Sequence, residues 1–170
     1  KMGERAGIRS IFKLTVYDVK GFDHSKWTEL WRDEGGRHAR LIEAWKRVFR
    51  RFKDDPAVLG YDLINEPIRG DIENNEVLVR DYLVPLYRRI IDALAEISPQ
   101  KWALYQPPLL EPRKPWDFPF GRMEVALGRK NIVYATHYYG QSPATAVDRY
   151  SREAALSGAA LMIAEHGDAT

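Results

Sequence analysis

The sequence contains no cysteine, so it can form neither a disulfide framework nor a metal site with thiolate ligands. It also has no apolar run that approaches the roughly 20 residues of a membrane-spanning helix. No stripe of basic residues interleaved with aromatic ones is present and the formal net charge is only +2, so we expect no nucleic-acid partner. The composition, 45% hydrophobic and 29% charged, is that of a globular protein and not of a disordered chain.

One stretch, residues 58–67, combines a buried strand with a candidate catalytic acid. Val58 to Ile64 is an almost unbroken apolar run, which suits a strand covered on both faces. Pro67 excludes a right-handed helix at Glu66, so we expect an extended or bridge backbone there. Glu66 should therefore lie at the carboxyl end of a strand, where alternating β/α folds place their chemistry.

The rest of the chain alternates between strand and helix patterns. Four further strands are predicted over 8–19, 101–106, 131–136 and 159–164. Helices are predicted over about 41–52, 76–97 and 144–157, and Pro85 should kink or split the second of them. Repeating βα units imply a parallel sheet with right-handed crossovers. The fold class is therefore α/β, as an incomplete (β/α)8 TIM barrel with about strands 3 to 7 present.

A complete barrel needs about 250 residues, and this chain has 170. We therefore expect it to be an internal piece of a longer chain. Roughly two strands would be missing before Lys1 and one after Thr170, since a complete barrel has eight strands and about five are predicted here. The missing beginning would also remove any leader peptide. A secreted or extracytoplasmic location is the favoured expectation for the parent enzyme.

Two glutamates lie at predicted strand ends. Because the ends of parallel strands share one rim, Glu66 and Glu165 should meet in space. Two facing carboxylates are the minimum equipment for glycoside hydrolysis, since one donates a proton and the other attacks or activates water. The alternative is that Glu66 caps the next helix and that Glu165 is one surface acid among 24.

Three motifs in order resemble a known family. Asn65-Glu66-Pro67 resembles the Asn-Glu-Pro signature of clan A glycoside hydrolases, particularly family 5 and its cellulase and endoglycoceramidase-like superfamily. His137-Tyr138-Tyr139 matches the family's His-x-Tyr, and residues 163–167 match its Glu-Phe-Gly-like motif. The resemblance covers almost the whole chain, so residues 1–170 are interpreted as one partial barrel catalytic domain.

The resemblance implies a role for each matching residue. Glu66 would be the acid/base, Glu165 the nucleophile, and Asn65 the ligand of the sugar 2-hydroxyl. Tyr139 would donate to Glu165, and His137 would bind a sugar hydroxyl or tune the site. The reaction would be retaining cleavage of β-O-glycosidic bonds in oligosaccharides, polysaccharides or glycoconjugates, with no cofactor and no metal. Retention requires carboxyl groups about 5–5.5 Å apart, and an acid/base pair of this kind needs Glu66 with a raised pKa beside an ionised Glu165.

The supporting residues also allow plainer interpretations. Gln106 and Trp116 could line the sugar cleft or simply pack against the proline-rich loop that follows the third strand of this chain. His137 could be a structural histidine. Trp27 and Trp31 could form a stacking platform or anchor their loop.

The match has one gap, and other classes of function compete with it. Many family members end the third strand in Asp-x-His, where this chain has Tyr17-Asp18, which leaves the substrate open. A metal-dependent hydrolase could use His137, Glu165, His166 and Asp168, although the last three are too close in sequence to converge easily. A barrel that binds carbohydrate without catalysis is a further alternative. A sugar-phosphate isomerase is disfavoured because no glycine-rich phosphate loop follows the late strands.

Overall fold

The computed structural model of the protein describes residues 9–13, 24–109, 123, 125–126, 128–139 and 143–167. Its strands are Ser10–Lys13 (β1), Val58–Asp62 (β2), Trp102–Tyr105 (β3), Ile132–Tyr139 (β4) and Ala160–Gly167 (β5). Its helices are His24–Trp31 (α1), Arg37–Phe52 (α2), Asn75–Val77 (α3), Val84–Ile97 (α4) and Pro143–Ser157 (α5), with a π-helical segment Leu78–Leu83 between α3 and α4. Among the described residues, no helix has the length and apolarity that crossing a bilayer requires.

The five strands form one parallel sheet in the order β1-β2-β3-β4-β5. Strands that are neighbours in sequence are thus neighbours in space, and the order never reverses. A doubly wound sheet would reverse at a switch point, whereas a barrel wall does not. The predicted fold class is confirmed: the chain has the architecture of an incomplete (β/α)8 barrel.

The two faces of the sheet bury different layers. Tyr61, Tyr105 and Tyr134 share one face, and they belong to the large core that the helices cover. Side chains alternate along a strand, so Leu104, Val133 and Ala135 lie on the opposite, inner face and form a second, smaller cluster. The inner face is the one that continues into polar side chains at the carboxyl ends of the strands.

Several boundaries differ from the predicted ones. The sequence indicates a loop with only a short helical turn over 21–36, whereas residues 24–31 form a full helix, α1. It also suggests Asn75 as the cap of the next helix, but Asn74 is the cap, since its side chain accepts a hydrogen bond from the Val77 N–H. β5 runs through Glu165 to Gly167, because β4 keeps pairing with it to that point. The part of the first predicted strand after Lys13 lies outside the described residues.

The interruption predicted at Pro85 is confirmed, and it takes the form of the π-helical segment Leu78–Leu83. Pro85 has no N–H for the carbonyl four residues earlier, and its ring crowds that carbonyl. The helix widens just before the proline, where the Val84 N–H bonds to the Val79 carbonyl, five residues back.

Gly60 lets β2 approach β3 closely. A Cβ atom built at Gly60 would lie only 2.8 Å from the Trp102 Cβ and closer still to the Trp102 carbonyl oxygen. We expect Gly60→Ala to lower the free energy of unfolding by up to about 3 kcal/mol, because the backbone of β3 has to move. Denaturant melts measure the change.

Gly128→Ala is the matched control for that substitution. It meets no atom within 4 Å, and its φ of +72° adds only the backbone strain of an L residue, about 1 kcal/mol. An unchanged melt for Gly60→Ala would contradict the close approach of β2 to β3.

Candidate active site

Polar side chains from all five strands meet at the carboxyl rim of the sheet. Lys13 ends β1 and Asp62 ends β2, and these two residues are register partners. Gln106 follows β3 directly, while His137 and Glu165 lie near the ends of β4 and β5. A parallel sheet brings these ends to one edge, so residues far apart in sequence share one site.

Glu66 has a backbone conformation that we did not expect. Its φ is +44°, in the left-handed region, so the prediction of an extended or bridge backbone is wrong. Pro67 disfavours the right-handed helical region for the residue before it but leaves the left-handed region open. The Glu66 N–H donates to Gln106 Oε1 at 2.8 Å. L residues adopt such a backbone only where the surroundings hold it, which occurs most often at functional sites.

A β-bulge directs Glu165 toward the rim. The register of β4 with β5 shifts after Thr136, so that His137 pairs with Glu165 and Ala164 is the extra residue. Without this shift, Ala164 would face His137, and the Glu165 side chain would point to the other face of the sheet. The bulge therefore places Glu165 beside His137.

The two glutamates lie on either side of His137. His137 Nδ1 is 2.8 Å from Glu66 Oε1, and His137 Nε2 is 3.4 Å from Glu165 Oε1. One atom from each of these three side chains lies within 4.8 Å of the others. The side chains are 18% exposed for Glu66, 37% for Glu165 and 7% for His137. The carboxylates of Glu66 and Glu165 thus lie close enough for both to contact the same small chemical group at the rim.

Glu165 is held in its ionised form. Partial burial raises its pKa, but hydrogen bonds from the Lys13 ammonium and the Tyr139 hydroxyl, together with the charges nearby, outweigh burial and lower it. The Tyr139 hydroxyl donates to Glu165 Oε2 at 2.7 Å, and Lys13 Nζ donates to Glu165 Oε1. The bond to Glu165 raises the pKa of Tyr139 in turn. Glu165 is therefore the carboxylate suited to attack an electrophile.

Gly167 gives Tyr139 the space to reach Glu165. The two residues are register partners, and a Cβ at Gly167 would lie 3.2 Å from the Tyr139 ring. A larger side chain would press on the ring whose hydroxyl donates to Glu165. This contact gives a physical reason for glycine two residues after the acid.

The other predicted site residues occupy different kinds of position. Asn65 is buried, with Nδ2 at 3.5 Å from Glu66 Oε2. Gln106, a candidate for lining the cleft or for packing, is only 2% exposed and lies beneath Glu66. Its amide bonds to protein groups, namely the Glu66 N–H, Asp62 and Asn65. Trp116 lies outside the described residues.

Two residues at the rim were missed from the sequence. Lys13 looked like an ordinary polar residue of its strand, and Asp62 looked like the polar member of an apolar run. Both end a strand on the inner face, which the alternation of Tyr61 and Asp62 could have indicated. Burial raises the pKa of Asp62 to about 6, although the hydrogen bond from Gln106 acts against it.

Trp27 and Trp31 lie in α1 and anchor this helix to the segment after Pro67. They are 3% and 1% exposed and stack on each other with ring centroids 5.3 Å apart. Trp31 Nε1 donates to the Ile68 carbonyl at 2.8 Å. The pair therefore fixes the segment just after Pro67, and its rings are not open to a sugar.

Three of the described rim residues, Glu66, His137 and Glu165, could together offer ligand atoms to a divalent cation. The Lys13 ammonium already bonds to Glu165 and lies 3.3 Å from His137 Nε2. A metal ion there would meet this positive charge at close range, which opposes binding. His166 is exposed, and Asp168 lies outside the described residues.

Comparison with known proteins places this site in a family. A family model described as Cellulase (glycosyl hydrolase family 5) matches residues 22–169. An endoglycoceramidase from Hydra vulgaris is 29% identical over 120 residues, which cover 65% of this chain and 22% of that protein. An endoglycoceramidase from Cyanea nozakii is 32% identical over 105 residues, which cover 56% of this chain and 20% of that protein.

A solved structure shares the fold. The crystal structure of an endogalactoceramidase matches with a TM-score of 0.74 at 24% identity, over 85% of this chain and 33% of that chain. The chain spans about a fifth of the length of the curated relatives it matches. The family model nevertheless covers almost all of it, including the three motifs at the rim. The chain therefore belongs to glycosyl hydrolase family 5.

Proposed function

We propose that the protein is a retaining O-glycoside hydrolase that cleaves β-glycosidic bonds through a glycosyl-enzyme. The observation that carries this proposal is the meeting of two carboxylates around His137, one of which is held ionised by Lys13 and Tyr139. An acid and an ionised carboxylate at this short range fit double displacement, which uses carboxyl groups about 5–5.5 Å apart. Inversion needs a wider gap, since a water must fit between acid and sugar.

The proposed reaction proceeds in two displacement steps. Glu165 attacks the anomeric carbon and forms an ester bond while the bond to the departing oxygen breaks, and Glu66 gives that oxygen its proton. Glu66 then takes a proton from water, whose oxygen displaces Glu165 from the same carbon. Two inversions leave the anomeric configuration retained. We assign Asn65 to binding the sugar and Tyr139 to orienting Glu165. His137 would bind a sugar hydroxyl or orient the two acids.

A glycolipid is the proposed substrate class. Both curated relatives are named endoglycoceramidase, a name that refers to a conjugate of sugar and ceramide. The family description, Cellulase, supports a second class of substrate, the β-linked glucan. Both classes present an equatorial β-glycosidic oxygen to the same pair of acids, so the chemistry is common to them.

Product analysis on the full-length gene product tests the proposal. Substrates are a glycosylceramide with a short oligosaccharide, cello-oligosaccharides and aryl β-glycosides, and NMR reads the first-formed anomer. We expect the β anomer first, and release of intact oligosaccharide if the glycolipid is the substrate. A first-formed α anomer would contradict the double displacement. Binding without turnover would favour the carbohydrate-binding alternative.

The ion pair between Lys13 and Glu165 predicts a pH effect. Glu165 must be ionised to attack, so activity is lost as the pH falls through its pKa. Lys13 lowers that pKa, and Lys13→Met should raise it and shift the acidic limb of the kcat/KM profile to higher pH. Lys46→Met, which breaks the pair with Glu43 on α2, is the matched control. Coincident limbs for wild type and Lys13→Met would contradict the assignment.

A further inference from the structure

The buried amide of Gln106 joins the ends of β2 and β3 beneath the acid. Its Oε1 accepts from the Glu66 backbone N–H at 2.8 Å, and its Nε2 donates to Asp62 Oδ2 at 2.6 Å. A longer contact runs from Nε2 to Asn65 Oδ1 at 3.4 Å. Asp62 and Gln106 are each 2% exposed, so protein groups rather than solvent decide the orientation of this amide.

The Asp62 carboxylate determines which way the amide points. A side-chain amide has one accepting end and one donating end, whereas a backbone N–H only donates and a carboxylate accepts. Turning the Gln106 amide over would set donor against donor at Glu66 and acceptor against acceptor at Asp62. Only the observed orientation satisfies both neighbours, and a buried mismatch of this kind is strongly disfavoured.

The backbone of Gln106 is fixed independently of Asp62. The Tyr87 hydroxyl donates to the Gln106 carbonyl at 3.0 Å and accepts from the Gln106 N–H at 3.2 Å. Burial raises the pKa of Tyr87 well above its ordinary value, so the hydroxyl keeps its proton. The freedom that remains is the rotation of the side-chain amide, which is the feature that Asp62 controls.

In this network of hydrogen bonds, Glu66 is the residue with the strained backbone. A left-handed backbone at a residue with a Cβ is disfavoured and persists only where its surroundings hold it. The bond from the Glu66 N–H to Gln106 anchors the peptide plane just before that residue. The same conformation sends the Glu66 carboxylate to within 2.8 Å of His137 Nδ1.

We propose that Asp62 is a positioning residue for Glu66, acting through the amide of Gln106 to hold the acid in its left-handed backbone. This inference rests on the proposed function, in which Glu66 protonates the departing oxygen. Asp62 itself touches neither the sugar nor the reacting atoms. Asp62 Oδ1 has no hydrogen-bond partner among the described residues. If Asp62 binds a proton at Oδ1, its Oδ2 can therefore still accept the hydrogen bond from Gln106.

Leaving-group dependence separates this role from a general loss of stability. The variants are Asp62→Ala, which removes the acceptor, and Asp62→Asn, which keeps one. Substrates are an alkyl and a 2,4-dinitrophenyl β-glycoside of the sugar that the wild type turns over fastest. The alkyl alcohol needs a proton from Glu66 to depart and dinitrophenolate does not, so in kcat/KM only the first substrate reports on the position of the acid.

Asp62→Ala is expected to lower kcat/KM on the alkyl glycoside by about 30- to 100-fold, as a misplaced catalytic group does. On the dinitrophenyl glycoside the loss of kcat/KM should stay below about fivefold, because kcat/KM reports only the formation of the glycosyl-enzyme and that step bypasses the acid. Asp62→Asn should recover most of the alkyl rate. Asp92→Ala, at an exposed carboxylate on α4 paired with Arg129, is the control. Equal losses on both substrates, or no loss at all, would overturn the proposal.

A polarity swap keeps the test decisive if Asp62→Ala does not fold. Gln106→Glu sets two buried carboxyl groups against each other, and the pair can relax only by taking up a proton. Adding Asp62→Asn restores a donor and an acceptor with their places exchanged. The double variant should be about tenfold more active on the alkyl glycoside than Gln106→Glu alone. A gain of this size lies within the interaction free energies expected for residues in contact. An additive result would overturn the proposal.

Hydrogen exchange at the Glu66 amide distinguishes failure of this inference from failure of the proposed function. A wild type that hydrolyses no glycoside would remove the proposed function, and exchange then decides the inference alone. We expect the Glu66 N–H to exchange at least about tenfold faster in Asp62→Ala than in Asp62→Asn, because opening of this bond is a local event. Equal exchange in the two variants would overturn the inference.

Discussion

Glu165→Ala is expected to lower kcat/KM by roughly 10⁴-fold or more, since loss of a covalent nucleophile can cost on the order of 10⁶ in rate. The reason is specific to this site, because Glu165 is the acid that Lys13 and Tyr139 hold ionised. Removing it leaves Glu66 and His137 in place but no group that can form the ester with the anomeric carbon. Turnover of the best glycoside by the full-length gene product measures the loss.

External azide identifies the missing group. A small anion can enter the space left by the Glu165 carboxylate and attack the anomeric carbon in one step. We expect Glu165→Ala to recover activity with azide and to form a glycosyl azide of inverted configuration. Glu43→Ala, at an exposed acid on α2, is the control for loss of a surface carboxylate. Near-normal activity of Glu165→Ala would mean that the nucleophile is another residue.

Glu66→Ala is expected to reduce activity on alkyl glycosides by about 10²- to 10⁴-fold, the usual contribution of general acid–base catalysis. Both steps are affected, since in the proposed mechanism Glu66 serves as the acid in the first and as the base in the second. With a dinitrophenyl glycoside the first step needs little proton donation, so we expect the glycosyl-enzyme to accumulate. A burst of dinitrophenolate followed by slow turnover is the kinetic signature.

Azide has the opposite stereochemical outcome in this second variant. It attacks the glycosyl-enzyme from the side where Glu66 would direct water, so the glycosyl azide should retain the configuration of the substrate. The two variants are thereby told apart by one product analysis. An inverted azide from Glu66→Ala would exchange the assigned roles of the two acids.

The strand order and the meeting of the two acids could be predicted because local patterns determine them. Val58 to Ile64 is apolar apart from Asp62, as strands of covered parallel sheets largely are, and the later strands show the same preference. Parallel strands joined by helices must place their carboxyl ends at one edge. Glu66 and Glu165 therefore converge whatever the details of the loops between them.

The finer geometry of the site depends on tertiary contacts that no local pattern encodes. The left-handed backbone of Glu66 depends on an acceptor 40 residues away, in Gln106. The sequence left open whether Gln106 lines the cleft or packs, because a single glutamine gives no sign that a buried carboxylate will bind its amide. Lys13 reaches Glu165 across 152 residues of chain, and only the curvature of the sheet joins the first described strand to the last.

The extra residue in β5 makes the length of that strand chemically significant. Removing Ala164 would close the bulge and leave Glu165 directly after Ile163, still opposite His137 on the inner face. Adding one residue between 160 and 165 would instead pair Glu165 with Tyr138 and turn its carboxylate to the helical side. Deletion of Ala164 should therefore preserve hydrolysis, whereas a one-residue insertion before Glu165 should abolish it and leave the circular dichroism of the barrel largely intact.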